Sequence, residues 1–359
     1  MKLKQVPEDF AVSEIIEVPK KTSGDQTYFW LTKKNWTTDS AVREIARRLG
    51  ISGRRFKFAG SKDKVAVTKQ LVSVFKISAE RLQGLELRDI SLEIAGQGDK
   101  PVSLGTLTGN SFAITVRDLA KKDLNKLKRN FHAIKKSGFK NYFGEQRFGI
   151  GNTNLIGKAI LRGLLGEAVK EMLCFTAKDE GEERKGFRKF ARKNWGKWKA
   201  ISEKVPKSLG LEKSVVEWLV KQPNDFAGAL RTLPKHVRKL HVHAYQSYLW
   251  NSALAKVKSP RRKGFPVPGF KTKLGKDAFS EEIKKLLKKD SLDLESFLCK
   301  RMPELAVEGD MRKALIKPKK LKVYTAEKDE LNPGTSKILL NFELPKGCYA
   351  TVLLKFLFS

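Results

Sequence analysis

Phe58-Ala59-Gly60-Ser61-Lys62-Asp63-Lys64-Val65-Ala66-Val67-Thr68-Lys69-Gln70 sets one carboxylate, Asp63, between two lysines on a glycine-containing turn. The apolar run Phe56 to Ala59 leads into it and Leu71 to Phe75 leads out, both strand-like in length and composition. A side chain at such a turn is held by the scaffold and open to a substrate, which suits catalysis. A lone carboxylate acts as nucleophile or as general base, and the flanking Lys62 and Lys64 favour its charged form. The plainer alternative is a solvated Lys-Asp-Lys turn.

Outward from this turn, strands and helices alternate. Phe10, Val12, Ile16 and Val18 share one parity, with Glu14 interrupting, as in a half-buried strand. Tyr28 to Leu31 predicts a second strand. Thr38 offers an N-cap to a helix whose stripe is Ala41, Val42, Ile45, Ala46 and Leu49 and whose stop is Gly50. Phe112, Ile114 and Val116 alternate again. Leu119 to Lys136 reads as a helix with Leu124, Leu127, Phe131 and Ile134 on its apolar side. This interleaving predicts a mixed α/β (α+β) layer through about residue 150.

The pattern turns mainly helical from about residue 154 to about 310, where most lysine clusters lie. Strand character returns at Ile338 to Phe342, and the chain ends in the apolar run Tyr349 to Phe358. The simplest organisation is one α/β domain built from 1–153 and 316–359, with a helical domain, 154–315, inserted. Within the insert, Glu183 to Trp198 mixes cations with aromatics. Arg184, Arg188, Lys189 and Arg192 suit phosphate and the rings suit base stacking; alternatively the rings face a core beneath a solvated helix. Lys258 to Gly269 is a basic, turn-rich loop.

Lys and Arg number 73 against 39 Asp and Glu, a net charge of +34. Such self-repulsion is relieved by a polyanion, and nucleic acid is the natural one because phosphate contacts release counterions. A membrane-surface protein or a lysine-rich proteome would also give this balance. The N-terminal segment Met1 to Asp9 has no apolar core of a leader, and no segment reaches the ~20 apolar residues of a membrane span. A cytoplasmic protein is expected. Cys174, Cys299 and Cys348 are too few and too scattered for a disulfide framework or a zinc motif.

No GxxxxGK[ST] phosphate loop and no HExxH occur, and the zinc-deaminase pattern is missing. His241 and His243, two apart, aim differently on a helix or a strand. No metal site is expected, so an RNA-directed enzyme here works with side chains alone. Asn141-Tyr142-Phe143-Gly144-Glu145-Gln146-Arg147-Phe148-Gly149 combines rings for stacking, amides for base edges and glycines for close approach. A packed aromatic turn is the alternative.

Five stretches, in order along nearly the whole chain, resemble the TruD family of tRNA pseudouridine synthases. Lys4-Gln5-Val6-Pro7-Glu8-Asp9-Phe10 is similar to the family's Lys-x-x-Pro-Glu-Asp-Phe opening. Ala59 to Lys64 with Ala66, Val67, Thr68 and Gln70 resembles its catalytic loop, and Asn141 to Gly149 its Asn-Tyr-Phe-Gly-x-Gln-Arg-Phe-Gly motif. His243 to Asn251 is similar to its insert domain, and Leu344-Pro345-Lys346-Gly347-Cys348-Tyr349-Ala350-Thr351 to its Leu-Pro-x-Gly-x-Phe/Tyr-Ala-Thr motif.

The resemblance implies a permuted pseudouridine synthase fold with a mixed sheet and an inserted, mainly helical TRUD domain. It implies Asp63 as the essential aspartate, with Lys4 paired to it and Phe10 packed in support, and with Lys62, Asn141, Phe143 and Tyr349 around it, the last a Tyr where some members have Phe. It implies tRNA as partner, bound through cations such as Arg147, with U13 as the usual target. No cofactor is needed for an isomerisation. A monomer is expected, since no self-complementary apolar stripe stands out. The rival is a non-catalytic basic RNA-binding or ribosome-associated protein, for which charge alone speaks. A methyltransferase would want a glycine-rich cofactor turn, and a metal nuclease would want clustered acids.

Overall fold

In the computed structural model, the alternating N-terminal residues form strand β1 (Phe10–Ile16), with Phe10, Val12 and Glu14 buried and Ala11, Ser13 and Ile15 half-buried. Residues 1–359 are described except 20, 22, 259 and 261–263; Arg261, Arg262 and Lys263 of the basic loop thus lie outside the described residues. The chain divides into two compact units, Met1–Phe139 with Ile316–Ser359, and Lys140–Leu315.

The first unit continues with β2 (Gln26–Lys34), α1 (Thr38–Leu49), β3 (Phe56–Phe58), β4 (Val67–Phe75), α2 (Ala79–Gln83), β5 (Ile90–Gly98), β6 (Leu107–Leu119) and α3 (Lys121–Ser137). The cap of α1 is Thr37, whose hydroxyl accepts from the Ser40 amide at 3.1 Å, and not Thr38 as the sequence predicts. Both threonines have the right chemistry, but Thr38 is buried and bonded elsewhere. Gly50 ends the helix in the left-handed region, φ 65°.

The second unit follows β7 (Phe139–Lys140). It holds α4 (Thr153–Leu161), α5 (Leu165–Cys174), α6 (Glu182–Lys193), α7 (Trp198–Lys204), α8 (Gly210–Lys221), α9 (Phe226–Arg231), α10 (Lys235–Lys256) and α11 (Ala278–Lys289), with a small β8 (Phe265–Val267) to β9 (Asp310–Arg312) ribbon. Its core gathers on α10, where Tyr245, Leu249, Trp250 and Ala253 are buried. Gly157 lets α4 approach closely, since a Cβ there would collide with the His241 carbonyl. The chain leaves through β10 (Leu315–Ile316), which pairs with β7.

The returning segment adds β11 (Lys319–Val323), β12 (Glu327–Lys328), β13 (Ser336–Pro345) and α12 (Ala350–Phe358) to the first unit. One nine-stranded mixed sheet results, in the order β11-β13-β6-β1-β4-β2-β5, with β12 on β13 and β3 on β4. Phe29, Leu31, Val72 and Val74 pack under Val42 and Ile45 of α1; each such burial contributes about 1.5–3 kcal/mol. Phe112 stacks on Phe342 at 5.2 Å and meets Phe10 edge-on at 6.3 Å, joining β1, β6 and β13. Of these pairings, β1 with β4 is parallel, Ala11 opposite Val67. Parallel strands start at the same end, so the segment entering β1 lies beside the loop entering β4.

Candidate active site

That register brings Lys4 to Asp63. The Lys4 ammonium lies 2.6 Å from the Asp63 carboxylate and 4.1 Å from the centre of the Phe10 ring. Lys4 has a left-handed backbone, φ 56°. Such a conformation costs a non-glycine residue about 1–3 kcal/mol and persists where surrounding contacts demand it. The cation that pairs with Asp63 is therefore Lys4, not its neighbour Lys62. Lys62 turns instead to Glu14, 2.5 Å away, whose side chain is fully buried and also accepts from the Leu71 amide at 3.0 Å. The interruption in the β1 pattern is thus an internal anchor for the loop.

The loop is tied at several points. The Gly60 carbonyl accepts from the Gln70 side-chain amide at 3.1 Å. The Lys62 amide donates to the Thr38 hydroxyl at 2.8 Å, which in turn donates to Gln70 at 2.7 Å. Ser61 donates to Asp39 at 3.2 Å. The Asp63 carbonyl accepts from the Lys33 ammonium at 2.9 Å. Gly60 has no left-handed backbone, and a Cβ there would meet nothing within 4 Å; the turn does not need glycine for its own geometry. Against this fixed backbone the Asp63 side chain is 43% exposed. Three ammonium groups, Lys4, Lys33 and Lys62, face two carboxylates, Asp63 and Glu14. Burial pushes Lys33 down to about 8; Asp63 counters that fall and Lys62 adds to it.

In the second unit, Asn141 is buried and its amide is fully engaged: it donates to the Lys313 carbonyl at 2.9 Å and accepts from Arg312 at 2.8 Å. Asn251 clamps Phe143 by bonding both its amide, at 2.8 Å, and its carbonyl, at 2.9 Å. The Arg312 guanidinium sits 4.0 Å from the centre of the Phe143 ring, and that of Arg147 5.7 Å from it. Asn141 therefore orients Arg312 upon Phe143. Tyr349, half-buried in the first unit, caps α12.

The basic run forms α6 and the turn into α7, and its rings follow the alternative reading, packing toward a core. Phe187 and Trp198 are buried, Trp195 stacks on Phe226, and all four pack in the core of the second unit. Arg188, expected on an RNA face, is 3% exposed and bonded to Glu180 at 2.8 Å, with Glu212 at 3.3 Å. Its position on the Phe187 side of the helix carries it inward. Arg184, Lys189 and Arg192 are exposed, Arg184 bonding Ser208 and Arg192 the Cys174 carbonyl.

A family model for tRNA pseudouridine synthase D (TruD) matches residues 1–261 and 261–357. The chain belongs to the TruD family. It is 33% identical to the tRNA pseudouridine synthase D of Aquifex aeolicus, across 100% of this chain and 98% of that one. It is likewise 33% identical to a protein of Methanosarcina acetivorans named probable tRNA pseudouridine synthase D, across 99% and 91% of the two. The crystal structure of a Methanosarcina mazei protein described as TruD superposes with a TM-score of 0.79 at 32% identity, covering 99% of this chain and 93% of that one. The TruD assignment makes the chain a pseudouridine synthase, an isomerase, on the expected mixed α/β fold. No helix among the described residues is long and apolar enough to cross a membrane.

Lys33 and Arg312 are absent from the sequence expectations, and Gln70 and Thr38 enter them only as a motif position and a helix cap, not as ties of the Asp63 loop. Lys33 and Gln70 carried a signal: each is polar where strand alternation calls for an apolar side chain. Thr38 looked like a cap, and Arg312 carried no local signal.

Proposed function

We propose that the protein converts a uridine of tRNA to pseudouridine with Asp63 as its catalytic carboxylate, and that the target is U13 in the D-stem region. The observation that carries this is an exposed carboxylate, paired with Lys4 at 2.6 Å, on a loop whose backbone is tied at the Gly60 carbonyl, the Lys62 amide and the Asp63 carbonyl. Family resemblance supports the target position.

The reaction breaks the N1–C1′ bond, turns the freed uracil, and forms a C5–C1′ bond. The proton lost from C5 is balanced by one gained at N1. A stacked uridine must first be flipped out. Tyr349, in the same unit as Asp63, is assigned to stack on the base, a contact contributing about 1–3 kcal/mol. Asp63 opens the glycosidic bond by attack at C1′ or C6 or by removing the 2′ proton. Lys4 and its Phe10 support hold the carboxylate in line, and a closed pocket favours rotation of the uracil over its escape. Arg147, Arg184, Lys189 and Arg192 are the proposed phosphate contacts.

The test is pseudouridine formation on unmodified tRNA transcripts, wild type beside Asp63→Asn, with chelator present. Conversion at one position by wild type alone is expected, with tRNA affinity and folding of the variant unchanged. Equal turnover by both removes Asp63 from the chemistry. Tight binding of a whole tRNA pool without conversion leaves a binding protein.

A further inference from the structure

Lys33 lies on the buried side of β2, in line with Phe29 and Leu31, and is 1% exposed. Alternation calls for an apolar residue there, and an apolar residue would avoid desolvating a cation. Both groups its ammonium bonds are backbone carbonyls: Trp36 at 2.5 Å, in the turn before α1, and Asp63 at 2.9 Å. The charges that act on it are Asp63 and Lys62 on the loop; these in turn pair with Lys4 before β1 and Glu14 on β1, and Asp39 on α1 bonds Ser61 of the same loop. A local rule broken in this way, with the buried group directed at the catalytic residue's own peptide, marks a functional position.

We propose that Lys33 is a positioning residue that clamps the Trp36 and Asp63 carbonyls together and so sets the direction of the Asp63 carboxylate. This rests on the reading of Asp63 as the catalytic group. Lys4 holds the carboxylate from outside; Lys33 holds the peptide from beneath. With only Lys4 in place, the carboxylate swings with its backbone. A displacement of about 1 Å costs on the order of 100-fold in rate. Burial lowers Lys33 to about 8, so the clamp loses its charge and weakens at mildly alkaline pH.

The experiment is single-turnover pseudouridine formation by the full chain on a tRNA transcript, enzyme in excess, from pH 6 to 9.5, with tRNA affinity at fixed salt. Lys33→Met is expected to lower the neutral-pH rate about 100-fold with affinity within about two-fold. Lys33→Gln, whose amide still donates, should recover part of that loss. The wild-type rate should fall as pH rises through the range where Lys33 loses its proton, and Lys33→Met should lack that alkaline fall. Wild-type rates for Lys33→Met, or rate and affinity lost by the same factor, overturn the proposal. If Lys33→Met does not fold, an undiminished Lys33→Gln rate or a flat wild-type profile to pH 9.5 does the same. Asp63→Asn separates the two readings: inactive Asp63→Asn beside active Lys33→Met removes the clamp alone, whereas active Asp63→Asn removes the catalytic assignment with it.

Discussion

Lys4 shows how one residue combines charge and backbone. Its left-handed conformation and its bond to Asp63 can be separated by Lys4→Asn, because Asn tolerates that conformation but carries no charge. Single-turnover rate should fall about 10- to 100-fold, while thermal melting stays within about 0.5 kcal/mol of wild type. A second prediction concerns Lys33. Its proton is released from the folded chain near pH 8 and from the unfolded chain near the ordinary lysine value of 10.5. Between these values the unfolded chain binds more protons, so this group's contribution to stability rises with pH and is lost as pH falls back through about 8. Urea melts at pH 8 and pH 10 should show wild type gaining stability relative to Lys33→Met. Activity should move the opposite way, since the neutral amine keeps two N–H donors but loses the charge that strengthens both bonds.

Elements far apart in the chain are joined by Arg117 at the end of β6. Its guanidinium bonds Asp9, just before β1, at 2.8 Å and Asp329, just after β12, at 2.9 Å, all three side chains being nearly or fully buried. Burial alone would raise the Asp329 carboxyl, but bonds from the Asp118 amide, Asn332, the Leu331 amide and Arg117 outweigh it and hold it below the ordinary range. Removing one member of a buried pair strands the others, at about 3–5 kcal/mol. Arg117→Ala should lose that much in chemical unfolding. The lowered carboxyl contributes its stability above the unfolded value of about 4, and that contribution should vanish as pH falls below it. An unfolding midpoint equal to wild type would show that the Asp9 segment and β13 hold without the tie.

At the scale of the whole molecule, the net charge of +34 predicts tRNA binding that weakens steeply with salt. Which cations contribute follows from burial. Arg184→Glu and Lys189→Glu should each weaken binding and reduce the logarithmic salt slope by about 1. Arg188→Glu should instead unfold the second unit, because it sets a third carboxylate beside Glu180 and Glu212. Filter binding across a salt series, with circular dichroism on each variant, separates these outcomes. An unchanged slope for the first two would take α6 off the RNA path.

Periodicity is local, so the sequence by itself determined the alternating strands, the stripes of α1 and α3, the helical insert and the exposed Asp63 loop. Five motifs in register determined the family. Family resemblance paired Lys4 with Asp63; tertiary structure decided the other meetings of charge and supplied the reason for this one. Lys4 reaches Asp63 across 59 positions because β1 and β4 run parallel, and Lys62, adjacent to Asp63, is drawn to Glu14 by the same sheet. Asn141, which reads as a base contact, bonds Arg312, 171 positions away. Arg188 reads as a surface cation among cations, yet the face of α6 that carries Phe187 turns it into the core. Spacing tells which face of an element is apolar; it does not tell what lies opposite, and at this site the opposite partner defines each residue's chemistry.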